Sequence, residues 1–498
     1  MSNVCTDDWR RAAGGLLLAA AFLGLLLAIP AARAAPDPAP PPAVAPTIDE
    51  AVERLVADAL AANLDLAAAT AETEARLAAL DQARARYLPA LDLDARYSRA
   101  SGGRTIDFPV GDLLNPVYAT LNQLTGQARF PAIENVSVRL LRPREQETKL
   151  SLTQPLYDAR LGAARDAAAA RVDSAEAARA TLRSRLARDV RQAYYRWLEA
   201  RARLGILDAT LEAARANLHV NDSLFRHGKV TRDLVYRAEA DVLEVEQGRL
   251  AADHGVRIAQ SYVNLLRNAP FDRELPLAAV ADPDVDRLRD GLARRAQAPG
   301  LALPGLESAA VDRRTEFREL DAAAAAAAAG ERLARAAFRP QLAFAVDAGS
   351  QGEDYRHFGT TDDRFVLASV VLRFSLFAGG ADRAALRGAR AAQAEVRAQR
   401  AAAEQRIRLE VQEALSTLEV AGASLATAER RVQAAAGAFA IAQKKRDLGQ
   451  INQAEYVDAR RALTDAELNQ NVTRFEALDG LAQLEYAVGR ADRDGATP

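Results

Sequence analysis

Residues 186–218 read LARDVRQAYYRWLEARARLGILDATLEAARANL, and residues 407–439 read IRLEVQEALSTLEVAGASLATAERRVQAAAGAF. In the first stretch an apolar ladder runs Leu186, Val190, Ala193, Trp197, Ala200, Leu204, Leu207, Leu211, Ala214, Leu218, in steps that alternate four and three. Moving every position by 221 gives Ile407, Val411, Ala414, Leu418, Ala421, Leu425, Ala428, Val432, Ala435, Phe439, and every one is apolar. A sustained 3.5-residue period is the seam of a left-handed coiled coil. Many seam residues are alanine, so the helices can approach closely. The chain therefore carries two copies of one long helix.

The copies extend beyond that helix. Phe225-Arg226-His227-Gly228-Lys229-Val230 matches Arg446-Asp447-Leu448-Gly449-Gln450-Ile451, which sets the offset (449 minus 228). Tyr87-Leu88-Pro89-Ala90-Leu91-Asp92-Leu93 matches Phe338-Arg339-Pro340-Gln341-Leu342-Ala343-Phe344. Each half reads as helix, proline-started strand, loop, strand, long helix, glycine turn and return helix. A helix over 160–226 would be roughly 100 Å long. The return pieces, about 230–268 and about 306–338, would reach a similar length if stacked end to end.

Four segments alternate with period two. Leu91, Leu93, Ala95 and Tyr97 interleave with Asp92, Asp94, Arg96 and Ser98; Leu150 and Leu152 interleave with Lys149, Ser151 and Thr153. Leu342, Phe344, Val346 and Ala348 form the third set, and Val366, Ala368, Val370, Leu372, Phe374 and Leu376 the fourth. Short alternating segments suit barrel strands with one face to lipid and one to a watery lumen. Tyr157 and Phe377 close their strands at matching positions, where girdle aromatics are expected. Four strands cannot close a barrel, and open edges are forbidden in lipid, so self-assembly is required. Three copies would give twelve strands, closed by cyclic symmetry. The first strand pair encloses a long loop, about 102–147.

Composition excludes other classes. There are 65 Lys+Arg against 67 Asp+Glu, so no basic excess supports nucleic acid as a partner. The N-terminus reads as an export signal: Arg10-Arg11, an apolar run from Gly14 to Ile29, then Ala32-Arg33-Ala34 before the expected cleavage point. The single cysteine, Cys5, would leave with it. Residues 35–47 form a Pro/Ala-rich leader. His219, His227, His254 and His357 lack ligand spacing, no phosphate-cradling glycine loop is found, and no nucleophile–base set is visible. Neither a metal nor a cofactor is expected, and no enzyme activity.

The duplicated order, the Leu88-Pro89-Ala90-Leu91 start, the passages Gln154-Pro155-Leu156-Tyr157-Asp158 and Ser375-Leu376-Phe377-Ala378-Gly379-Gly380, and the turn Leu448-Gly449-Gln450-Ile451 together resemble the TolC family of outer-membrane efflux and secretion proteins. The resemblance covers about 48–489. It implies a mainly helical fold: a homotrimer with a twelve-stranded outer-membrane β-barrel on a twelve-helix periplasmic coiled-coil barrel. Its units would be a first repeat at 48–268 (strands about 90–101 and 147–157, hairpin 160–268), a linker at 269–305, a second repeat at 306–489 (strands about 341–350 and 364–377, hairpin 381–489), and a tail at 490–498. Implied partners are a periplasmic adaptor protein, an inner-membrane pump or ABC exporter, and outer-membrane lipid.

The resemblance also points to a gate where the hairpins end. Glu455 and Asp458 share one helix face and match positions that carry acidic rings in the family. In the first half the equivalents are Leu234 and Arg237; Arg237 or Arg232 would pair with acids of a neighbouring hairpin. Gly228, Lys229, Val230, Gly449, Gln450 and Ile451 are candidates for adaptor contact. Read without the family, the acidic pair also fits a solvated helix face and the tips plain turn chemistry. A periplasmic adaptor or a structural coiled-coil envelope protein also remains open.

Overall fold

The computed structural model describes residues 46–278, 302–355 and 361–490. The expected signal, most of the leader and linker, and nearly all of the tail lie outside the described residues. The first repeat runs α1 (Ile48–Ala62), α2 (Leu64–Ala85), β1 (Ala90–Arg99), β4 (Arg144–Asp158), α4 (Ala159–Arg226) and α5 (Arg232–Leu266). Between β1 and β4 lie β2 (Thr105–Phe108), α3 (Val110–Thr125) and β3 (Val136–Arg139). The second repeat runs α6 (Leu303–Arg313), α7 (Thr315–Ala336), β5 (Gln341–Gly352), β6 (Arg364–Arg373), α8 (Ala381–Asp447) and α9 (Gln453–Ala487).

The long helices have 68 and 67 residues, and the return helices 35 each. In each ladder seven of the ten positions are buried and three half-buried, so the 3.5-residue period marks the contact seam of both helices. Because α4 packs on α1, α2, α5, α7 and α9, its buried residues wrap the helix instead of keeping one face. One core joins α1, α4, α5 and α9 around Val52, Leu55, Val190, Tyr194, Trp197 and Phe475. Its counterpart in the second half gathers Leu306, Phe317, Val411, Leu418 and Leu484. The Tyr194 hydroxyl donates to the Pro276 carbonyl at 2.6 Å. Burial pushes its pKa up to about 12, so it stays a neutral donor.

The stretch expected as one helix over about 306–338 is broken at Arg314. That residue is extended (φ −63°, ψ 128°), as is Asn63 between α1 and α2 (φ −63°, ψ 131°). The breaks are repeat equivalents. The Asn63 amide donates to the Leu266 carbonyl at 3.0 Å, and the Arg314 guanidinium reaches the carbonyl of Ala487, 221 residues on from Leu266, at 3.5 Å. Two different donors thus satisfy the same orphan carbonyl at a helix end. Arg314 also binds Glu316 at 2.6 Å and Glu410 at 3.0 Å, and stacks on the Tyr486 ring.

Burial alone would raise the Glu316 pKa, but the Arg314 guanidinium and the Tyr486 hydroxyl outweigh it and hold the carboxyl below its ordinary range. A depressed native value stabilises the fold above the unfolded pKa. That contribution is lost as pH falls through the native value. Glu316→Gln is therefore expected to lower the unfolding temperature at neutral pH and to match wild type in strong acid. Thermal unfolding of both proteins across pH checks this; an offset that does not change with pH would contradict it.

The four main strands form one antiparallel sheet in the order β1-β4-β5-β6. Register puts Leu91 opposite Leu152, Leu93 opposite Leu150, Leu152 opposite Val346 and Val346 opposite Ala368. One face is therefore a continuous apolar surface, with Leu93 71% and Val366 76% exposed. The other face carries Asp92, Asp94, Lys149, Ser151 and Asp347, and bears large apolar side chains on β6, at Phe365, Leu367 and Val371. Both β1 and β6 are open edges. β4 begins at Arg144, before the expected start. β6 ends at Arg373, so Phe377 lies beyond its strand, whereas Tyr157 lies within β4. The expected long loop holds β2, α3 and β3, with β2 and β3 paired. Among the described residues no helix is long and apolar enough to cross a membrane.

Candidate gate at the hairpin tips

Both long helices end in the same turn. Gly228 and Gly449 each have φ +68°, a left-handed backbone that glycine adopts without a steric penalty. Gly228 N–H donates to Phe225 O and Lys229 N–H to Leu224 O; Gly449 N–H donates to Arg446 O and Gln450 N–H to Lys445 O. Lys229 and Gln450 are exposed at the apex, with Val230 and Ile451 half-buried behind them.

The return helices start differently. Asn452 Oδ1 accepts from Glu455 N–H at 2.8 Å and caps α9. At the matching position the Thr231 hydroxyl turns instead to the Asp233 carboxylate. Glu455 thus sits in the first turn of α9, where the helix dipole favours a carboxylate. Asp458 follows on the same side, and both acids are exposed. Tyr456, between them, is buried against Phe439 and under the Arg446 guanidinium, which fixes the direction of the first turn. The two candidate arginines do not reach these acids within one chain. Arg237 lies 4.0 Å from Asp233 on its own helix, and Arg232 stacks on Tyr236 at 5.3 Å. An exposed i,i+4 pair of this kind contributes little.

Above the tips the two hairpins are joined by polar contacts that a search for apolar ladders passes over. Arg460 of α9 binds Asp241 of α5, with both side chains only 4% exposed. Arg461 adds Glu244 at 2.6 Å and Asp241 at 3.6 Å. Thr464 meets Thr210 of α4 at 3.1 Å, and the Asn471 amide donates to the Glu199 carbonyl at 3.0 Å. Burial raises the pKa of Glu467, which lies between them. Arg460, Thr464, Glu467 and Asn471 follow the four–three–four spacing of a coiled-coil seam, and after one further four-residue step Phe475, Leu478 and Ala482 resume it in the first core. The seam between the repeats is apolar far from the tips and polar near them. The polar part is incompletely satisfied: among the described residues Arg460 Nε and Nη1 and Asn217 Nδ2 have no hydrogen-bond partner.

An antiparallel sheet with one lipid-compatible face and two open edges, carried on paired helical hairpins, defines the subunit of an outer-membrane channel. The sequence profile of the outer membrane efflux proteins matches residues 55–267 and 306–490. The chain belongs to that family, and so is an efflux channel protein of the outer membrane with a large periplasmic helical part. Its fold is shared with solved outer-membrane proteins. CmeC of Campylobacter jejuni is 15% identical, with 89% of this chain and 87% of that one covered and a TM-score of 0.71. VceC of Vibrio cholerae is 18% identical (88% and 96% covered, TM-score 0.69). The open-state MtrE channel of Neisseria gonorrhoeae is 19% identical (90% and 91% covered, TM-score 0.67). No protein of curated function matches the chain by sequence alone.

Proposed function

We propose that three copies of this chain form a passive exit duct that opens where its second hairpin parts from its first. The polar seam from Arg460 to Asn471, running into an apolar seam at Phe475, carries this reading. The apolar part anchors the second hairpin. The polar part holds the tip by contacts that can be exchanged for water at modest cost. Trimerisation pairs β6 of one copy with β1 of the next and removes both open edges from lipid. Tyr157 then serves as an aromatic at the periplasmic boundary, and Phe377, on the link to α8, lies close below it. Glu455 and Asp458, three copies of each, gather round the axis and favour cations. Arg232 and Arg237 face neighbouring copies, where Arg237 can exchange Asp233 for an acid of the next hairpin. The exposed turns at Gly228–Val230 and Gly449–Ile451 take an adaptor protein, which links the duct to an inner-membrane pump or exporter. The duct itself performs no chemistry.

Planar-bilayer conductance of purified trimers tests the acidic constriction. Wild type is expected to pass a small current that a trivalent cation blocks, and Glu455→Ala/Asp458→Ala to lose most of that block. Equal block in both would remove these two residues from the constriction.

A further inference from the structure

The channel reading leaves the Ala100–Pro143 segment and the arginines around it unused. Arg99, Arg104, Arg139, Arg142 and Arg144 are all exposed. Among the described residues none of them has an ion pair or a side-chain hydrogen bond, whereas Arg96, just before, holds Glu147 at 3.1 Å. They are crowded together as well. Arg99 lies directly opposite Arg144, and Arg139 is opposite Thr105, next to Arg104. Like charges facing each other across strands destabilise the pair unless something outside the chain neutralises them.

Their position on the sheet indicates what that is. On the apolar face the β1–β4 rungs run Leu93/Leu150, Ala95/Thr148, Tyr97/Gln146, Arg99/Arg144. Tyr97 stacks on Tyr355 at 6.1 Å, and the Tyr355 hydroxyl lies 3.5 Å from Thr148. The face therefore passes from aliphatic to aromatic to cationic, the order of acyl chain, interface and headgroup in a bilayer leaflet. The cationic end is the one away from α2 and α4, so it belongs to the outer leaflet. Gln146, one rung below Arg144, is fully buried, and among the described residues neither its amide nitrogen nor its oxygen has a partner.

Nearby carboxylates are accounted for. Glu145 points to the opposite face, toward Arg96 and Gln351, and Asp112 binds Asn135. Asp107 shares a face of the small hairpin with Arg139 without coming into ion-pair range. Among the described residues, Glu353, Asp362 and Asp363 flank β5 and β6 without an ion pair to these arginines.

We propose that these five arginines form a binding site for the phosphate groups of anionic lipid in the outer leaflet, with Arg99 and Arg144 as the primary ligands. Guanidinium forks bind phosphate oxygens bidentately, and a phosphate between two facing arginines relieves their repulsion. The lipid chains continue down the Leu93/Leu150 face.

The test uses the full-length trimer in neutral detergent micelles doped with phosphatidic acid or with phosphatidylcholine. Wild type is expected to retain several-fold more phosphatidic acid than phosphatidylcholine and to melt at a higher temperature with the acid lipid. Arg99→Gln/Arg144→Gln should lose both effects, and Arg99→Lys/Arg144→Lys should keep part of them. Equal retention by wild type and the glutamine variant would overturn the proposal. A melting shift reproduced in full by inorganic phosphate would make it a free-anion site and overturn the lipid assignment. Dissociation of the glutamine variant into monomers without any added lipid would assign the arginines to the acidic turn of a neighbouring copy, and would equally overturn it.

Discussion

Asp241→Ala is expected to turn a small, noisy current into a large, steady one. Asp241 and Arg460 are buried to the same degree, and Arg460 already lacks partners for two of its nitrogens. Removing one member of a buried pair leaves a charge that the protein cannot solvate, at a cost of about 3–5 kcal/mol. The protein relieves that cost by parting α9 from α5 and letting water reach Arg460. The equilibrium between joined and parted hairpins should move by roughly two to four orders of magnitude, since each 1.4 kcal/mol is about tenfold. Asp241→Leu/Arg460→Met removes both charges and keeps the volume, an exchange that is often neutral or stabilising. That double variant should close again. Single-channel recordings of the three proteins check the series. A single variant as quiet as wild type, or a double variant as leaky as the single, would contradict the seam's role.

Val346→Arg should prevent assembly, whereas Asp347→Arg one residue on should be tolerated. Val346 lies mid-strand on the apolar face between Leu152 and Ala368, and Asp347 on the other face between Ser151 and Leu367. An arginine on the lipid side near the bilayer midplane costs ~2–4 kcal/mol, so a barrel with three copies carries ~6–12 kcal/mol. Yield of heat-stable trimers in the outer-membrane fraction measures this. Equal yields from the two variants would contradict a lipid-facing position for Val346, and a lower yield from Asp347→Arg would mean that the faces are the other way round.

Much of this fold could be read before any coordinates, because two periods are written plainly in the chain. The ladder from Leu186 to Leu218 recurs from Ile407 to Phe439, and every position of both is buried or half-buried. The period-two runs at Leu91–Tyr97 and Val366–Leu372 lie on one sheet face. What was not legible breaks a period instead of keeping it. Arg460, Thr464, Glu467 and Asn471 occupy seam positions, but their polarity hides them from a search for apolar spacing. The break at Arg314 carries no signal in its own residue type: the equivalent break uses Asn63, and the shared feature is a carbonyl at the end of a return helix 221 residues on. β2, α3 and β3 have no copy in the second half, so the repeat could not reveal them. The acidic pair at Glu455 and Asp458 is visible as spacing, whereas the Asn452 cap that holds Glu455 in the first turn depends on the backbone turn before it.

If the duct opens by separation of the two hairpins of one subunit, a reversible covalent tie between them should hold it shut. The Thr210 and Thr464 hydroxyls lie 3.1 Å apart across the polar seam, so the ends of the two side chains meet there and cysteines at these positions are placed to be tied by oxidation. Thr210→Cys/Thr464→Cys should be built into the leaky Asp241→Ala background and recorded in planar bilayers. A small current is expected when oxidised, a large one after reductant, and a return to the small current on reoxidation. The same large current in the oxidised and reduced protein, with the disulfide verified by mass, would contradict it.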